Sequence, residues 1–159
     1  MTDLLALTEE LCAVPSESRS ERALADRLEA RFAALERLAV DRVGDNIVLR
    51  SELGRDRRVV FGGHLDTVPA NGNAVPRRDG DTLHALGAAD MKGGVAIMTT
   101  LAEAMDERPA DARFDATFVF YVAEEIAEEW NGLRDLFARV PEMVAGDLAV
   151  LLEPTDGWV

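Results

Sequence analysis

The stretch GGHLDTVP, residues 62–69, stands directly behind RVVF, residues 58–61, a short apolar run that reads as a buried strand. Side chains at i and i+2 of a strand share a face, so His64 and Asp66 point the same way at the strand's end. A neutral imidazole is a good metal ligand, and a carboxylate beside it can hold the other ring N–H and fix the tautomer. The same pair would also serve as a buried structural His–Asp contact. What separates the two readings is whether further acidic groups arrive at the same place.

The chain has 159 residues, of which 48% are hydrophobic, enough for one globular domain with its own core. Its formal net charge of −13 argues against nucleic acid and anionic membrane surfaces as partners. Such an excess of acid suits a site that gathers carboxylates around cations, although much of it belongs to a solvated surface. Cys12 is the single cysteine, so an intrachain disulfide is impossible; it lies among apolar residues and reads as buried and inert. The opening MTDLLALTEELCAV carries Asp3, Glu9 and Glu10 without a basic start and does not read as a signal peptide. Nor does any apolar run reach the length of a membrane span. The expected compartment is the cytoplasm.

Outward from the organising strand, Leu4, Leu7, Leu11 and Val14 have helical spacing, closed by Pro15. Ser18 and Glu21 form a capping-box signature before a helix with Leu24, Leu28, Phe32 and Leu35 on one stripe. Residues 38–43 and 46–50 read as a hairpin with a Gly44-Asp45 turn. Residues 67–83 read as one long loop, rich in Pro, Gly and Asn. A largely buried helix starts near Met91, with Val95, Met98, Ala102 and Met105 on one face and Ile97 and Leu101 beside it. Asp90 stands at its N-terminus, and Gly93 and Gly94 allow a close backbone approach there. ATFVFYV, residues 116–122, reads as a central strand, and LAVLL, residues 148–152, as a second buried one. Asn131 caps a short helix over residues 132–140 that Pro141 stops. Alternating strands and helices predict an α/β domain with a mixed, largely parallel sheet flanked by helices.

The acids now form a pattern. His64 and Asp66 end one strand, Glu124 and Glu125 a second and Glu153 a third, while Asp90 opens a buried helix. Open α/β sheets bind ligands beyond the carboxyl ends of their strands. Five carboxylates and one imidazole gathered there would repel one another unless cations intervened, and a pair of divalent ions meets that need. Ligands of this type suit zinc, with cobalt and manganese also fitting. Each station also has an ordinary explanation: a structural pair, a helix N-terminal acid, solvated glutamates, an acid before a turn. Glu128 and Glu129 read as solvated, and His84 as a structural or surface residue.

GGHLDTVP, GAADMKGG, the Glu124-Glu125 pair and LLEPT together resemble the di-zinc aminoacylase and carboxypeptidase metallopeptidase family, most strongly its succinyl-diaminopimelate desuccinylase branch. The resemblance runs along nearly the whole chain, including PANGNAVP and the Asn131-Gly132-Leu133 that follows the glutamates. It implies a zinc-dependent exopeptidase-like catalytic fold holding two zinc ions. His64 and Glu153 would bind the first zinc and Glu125 the second; Asp90 would bridge them, Asp66 would orient His64, and Glu124 would be the general base. It also implies a cis peptide after Asp90, a small N-acyl amino acid as substrate and a homodimeric full-length enzyme. Acetylornithine deacetylase and glutamate carboxypeptidase activities fit the same motifs, and a non-catalytic metal-binding fragment is the reading from another class. The chain departs from the family pattern at Ala85, where glycine is common, and at Val122-Ala123, where an acid is usual. Family members are about twice as long, so residues 1–159 correspond to the N-terminal part of the catalytic domain, without the lid domain and the late histidine of the second zinc site. The chain alone is therefore expected to hold one metal better than two and not to be an active hydrolase.

Overall fold

The computed structural model describes residues 3–155. Helix α1 (Leu4–Cys12) is capped by the Asp3 carboxylate, which accepts from the backbone N–H groups of Leu5 and Ala6. Helix α2 (Arg22–Phe32) leads into the hairpin β1 (Leu38–Val43) and β2 (Asn46–Ser51), turned at Gly44 and Asp45 as the sequence predicts. Strand β3 (Arg58–His64) extends through the two glycines to the histidine itself. The short strands β4 (Arg77–Asp79) and β5 (Thr82–His84) follow, then α3 (Gly93–Glu107), β6 (Asp115–Tyr121), α4 (Gly132–Arg139) and β7 (Leu148–Leu151).

The main sheet has the order β1-β2-β6-β3-β7. The two pairings on the β1 side are antiparallel, and β3 runs parallel to both β6 and β7. Every residue of β6 is buried, as a continuous apolar run at the sheet's centre requires. Its side chains alternate between two cores. Ala116, Phe118 and Phe120 pack with Leu11 of α1, Leu28 and Phe32 of α2 and Met98 of α3; Val119 and Tyr121 pack on the other face with Leu136 of α4. The sheet is thus mixed and covered by helices on both sides.

Four sequence expectations are corrected. The loop over residues 67–83 contains the β4–β5 hairpin, joined by a two-residue turn in which Gly80 has φ +58°. Most of its residues are exposed, so no hydrophobic alternation marks it. Strand β7 is not buried: all four residues are exposed, because it stands at the rim of the sheet, beyond the two cores that cover the central strands. Ile97 and Leu101 of α3 are also exposed, 42% and 43%, so that helix has an open apolar flank. Lastly, Ser18 and Glu21 make no capping box, and the N-terminus of α2 has no side-chain cap. Cys12 is buried and His84 exposed, as expected. Among the described residues, no helix is long and apolar enough to cross a membrane.

Candidate metal centre

Because β6, β3 and β7 are parallel, their carboxyl ends open on the same edge of the sheet. The register sets His64 beside Tyr121 and Gly62 beside Leu151, so the residues that follow each strand emerge together. Asp90 arrives from the turn before α3, in the helical segment Ala88–Lys92, where Asp90 and Met91 themselves have non-helical torsions and the peptide between them is cis. Helix α3 starts three residues later than Asp90. The turn fits closely under the sheet: a Cβ on Gly94 would lie 2.8 Å from the backbone oxygen of Leu152, so only glycine lets the segment carrying Glu153 pass there.

His64, Asp90 and Glu125 each offer one ligand atom, and these atoms lie within 4.8 Å of one another. His64 Nε2 is 3.0 Å from Asp90 Oδ1 and 3.8 Å from Glu153 Oε2. Its Nδ1 lies 3.1 Å from the backbone oxygen of Asp66 and 3.3 Å from its Oδ1, which places a proton on Nδ1 and aims Nε2 at the acids. Asp66 is fully buried and accepts from Ser18 Oγ at 2.7 Å and from the N–H groups of Glu124 and Glu125 at 3.0 and 3.1 Å. Glu124 is exposed, with its backbone tied to Asp66 and its side chain outside the three-residue cluster. The Tyr121 hydroxyl lies 3.4 Å from Glu153 Oε1 and donates to it.

The charges report the crowding. Burial works against ionisation of Asp66, but hydrogen bonds from His64, Glu124, Ser18 and Glu125 outweigh it and bring the carboxyl to about 2. Burial would lower the pKa of His64, yet its bonds to Asp66 and Asp90 and the charge of Glu153 raise it to about 9. Burial and the neighbouring charge of Asp90 push Glu125 and Glu153 up, opposed by the His64 cation. An imidazole nitrogen facing several carboxylate oxygens is a donor set that fits a zinc-like ion.

Residues 60–158 match the sequence profile of peptidase family M20/M25/M40. The chain belongs to this family. Its members' dinuclear metal site fits the donor cluster at the sheet's edge. Curated relatives include a putative succinyl-diaminopimelate desuccinylase of Mycobacterium tuberculosis, 42% identical over 158 residues, and a succinyl-diaminopimelate desuccinylase of Corynebacterium glutamicum, 36% identical over 163 residues. Each alignment covers 99% of this chain but 44% and 43% of the relative, so the chain spans less than half the length of the proteins it matches. Among solved structures, an M20 family metallo-carboxypeptidase from Sulfolobus solfataricus superposes with a TM-score of 0.76 at 16% identity, over 96% of this chain and 37% of that one. A tripeptidase from Staphylococcus aureus superposes with a TM-score of 0.75 at 24% identity, over 94% and 42%. These likenesses establish the α/β catalytic-domain fold of the M20 family over part of those chains.

All six residues singled out from the sequence, His64, Asp66, Asp90, Glu124, Glu125 and Glu153, meet at this edge. Three others were missed. The S-x-x-E spacing of Ser18 and Glu21 gives a helix-cap signal regardless of where the side chains go. Lys92 is 1% exposed and donates from Nζ to the backbone oxygens of Leu11 and Val14 at 3.2 and 2.9 Å, fastening the turn after Asp90 to the end of α1. Its position in a charged, glycine-rich stretch gave no sign of burial.

Proposed function

We propose that this M20 family chain forms the metal-binding part of an amide hydrolase acting on N-acyl amino acids, with N-succinyl-LL-2,6-diaminopimelate as the substrate. The observation that carries this reading is the convergence of His64, Asp90, Glu125 and Glu153 on one edge of the sheet, with the Glu124 carboxylate free beside them. The choice of acyl group is supported by the two desuccinylase relatives at 42% and 36% identity.

In this reading, His64 and Glu153 would hold one zinc and Glu125 the other, with Asp90 shared between them; cobalt or manganese would suit the same donors. Such ions would supply an acidified water and polarisation of an amide carbonyl. Asp66 holds the proton on His64 Nδ1 and keeps Nε2 available. Glu124, exposed and outside the ligand cluster, accepts a proton and then delivers it to the departing amine. Its neighbour Glu125 turns into the cluster, because the left-handed bend at Ala123 takes the chain out of strand geometry ahead of the pair. The 159 residues correspond to the N-terminal part of the catalytic domain. A lid domain and a further histidine for the second ion come from sequence beyond them, and the complete enzyme is a homodimer in the cytoplasm.

The test is a hydrolysis assay of the complete gene product loaded with zinc, against succinyl-diaminopimelate, acetylornithine and N-acyl glutamates. Preferred release of succinate from the first is the expected result. Preference for either of the others moves the protein to a deacetylase or carboxypeptidase role in the same family. No turnover of any of them, with metal bound, leaves a binding module.

A further inference from the structure

Ala123, Glu124 and Glu125 present three consecutive backbone N–H groups, and two buried carboxylates receive all three. Asp66 takes those of Glu124 and Glu125. Glu21 takes the third: its Oε1 accepts from Ala123 N at 3.0 Å, across 102 residues of sequence. Glu21 is 2% exposed and lies close enough to feel the charge of Asp66. Ala123 has φ +57°, a left-handed conformation that a non-glycine residue adopts only where its surroundings hold it. The bend it makes is what separates β6 from the glutamate pair and sends Glu124 and Glu125 to different surroundings.

The segment supplying Glu21 grips the same bend at two more points. Ser18 Oγ donates to Asp66 Oδ2 at 2.7 Å, completing the set of donors around that carboxylate. The Arg19 guanidinium stacks 4.1 Å above the ring of Trp130, five residues beyond Glu125, tying the outer side of the loop to the same strap. A helix-capping role for Ser18 and Glu21 is ruled out, since the Ser18 N–H donates to Thr67 O and α2 has no side-chain cap. Ser18 and Glu21 do not make the reciprocal capping bonds that their spacing allows. Both instead reach the frame from which a ligand and a proton-transfer group project.

We propose that Glu21 and Ser18 are positioning residues of the metal centre: Glu21 fixes the Ala123 bend and Ser18 fixes Asp66, and together they set the directions of Glu124 and Glu125. This rests on the reading of Glu125 as a metal ligand. Gln at position 21 keeps an oxygen acceptor for the Ala123 N–H, whereas Ala removes it and leaves that N–H unpaired in the interior. Residues that hold ligands in place typically change metal affinity by about 10- to 100-fold when removed.

The experiment is titration of the 159-residue chain with cobalt(II), following the visible d–d bands, for wild type, Glu21→Ala, Glu21→Gln, Ser18→Ala and Asp90→Ala, with far-UV circular dichroism of each. The expected result is that Glu21→Ala keeps its secondary structure, binds cobalt about tenfold or more weaker and shows altered bands, while Glu21→Gln restores the wild-type spectrum. Wild-type affinity and bands in Glu21→Ala, with Asp90→Ala losing the ion, would overturn the positioning role and leave the metal centre standing. Equal loss in Gln and Ala would overturn it too, since the acceptor oxygen would then not be what matters. If Glu21→Ala does not fold, Ser18→Ala decides: weaker binding supports the proposal and unchanged binding refutes it. Failure of the wild-type chain to bind cobalt would remove the metal-centre reading and this proposal with it.

Discussion

Glu124 and Glu125 are adjacent and chemically identical, but their surroundings differ. Glu125 is half-buried, lies in the ligand cluster and is held above the usual carboxylate range by burial and by Asp90. Glu124 is exposed and touches the site through its backbone alone among the described contacts. In the complete enzyme, Glu124→Gln should therefore lower turnover by about 100- to 10,000-fold with zinc content unchanged. Loss of a zinc in that variant, read by metal analysis, would exchange the two roles. Asp115 gives a prediction away from the metal. Its buried carboxylate accepts from Ser51 Oγ, Leu53 N and Arg55 N at 2.7, 2.7 and 2.9 Å, clamping the loop that enters β3. Burial works against ionisation, but these bonds and Arg58 outweigh it and hold the carboxyl below the usual aspartate range. A carboxyl depressed on folding contributes stability that is complete above its unfolded pKa and is lost as pH falls through its folded one. Asp115→Asn should cost about 1–3 kcal/mol at pH 7, and urea unfolding should show the gap to wild type narrowing below about pH 4. A gap that stays constant or widens there would contradict the assignment. At this scale the residues that meet at the sheet's edge were legible, because His64-x-Asp66 and Glu124-Glu125 stand where apolar runs end. Ser18 and Glu21 were not, because a local capping pattern and a contact spanning 102 residues look the same in sequence.

The elements converge because three parallel strands must end on one edge, and that much follows from apolar runs terminating in acids. The parts that escaped are the ones with no buried face to announce them. The β4–β5 hairpin is too exposed to alternate, and β7 has the composition of an interior strand but stands at the rim. Gly94 ties two elements together and allows a signed prediction. In an open helix, Gly→Ala stabilises by about 1 kcal/mol. Here the new Cβ would stand 2.8 Å from both Leu152 O and Met91 Cε, and the backbone oxygen cannot yield without moving the segment that carries Glu153. Overpacking of this kind costs about 1–3 kcal/mol, so the steric effect wins over propensity. Gly94→Ala should unfold at lower urea and bind zinc more weakly, and a variant more stable than wild type with unchanged zinc affinity would show that the contact relaxes freely.

For the molecule as a whole, the balance of donors sets what the chain can do by itself. It contains two histidines, of which His64 reaches the cluster and His84 lies on exposed β5. The site around His64 therefore has an imidazole, and the site beyond Asp90 has carboxylates alone among the described residues. Zinc dialysis followed by metal analysis should find about one tightly held ion per chain and no amide hydrolysis, as tetrahedral zinc sites favour nitrogen or sulfur donors. Two tightly held ions with turnover would show that the chain completes its own site. Leu148, Val150 and Leu151 of β7 are 59%, 39% and 53% exposed beside an open strand edge, which favours concentration-dependent association. Sedimentation should show that association weakening in a Leu148→Lys variant. The membership of the family was legible from four ordered motifs, whereas the exposure of β7 was not, since an apolar strand does not say whether its faces are covered. The most direct measurement is anomalous diffraction at the zinc edge from crystals of the zinc-loaded chain. The expected peak lies between His64 Nε2 and Asp90, within bonding distance of both and beside Glu153 or Glu125. A peak elsewhere, or a zinc-loaded crystal with no peak at His64, would contradict the metal centre and the function built on it.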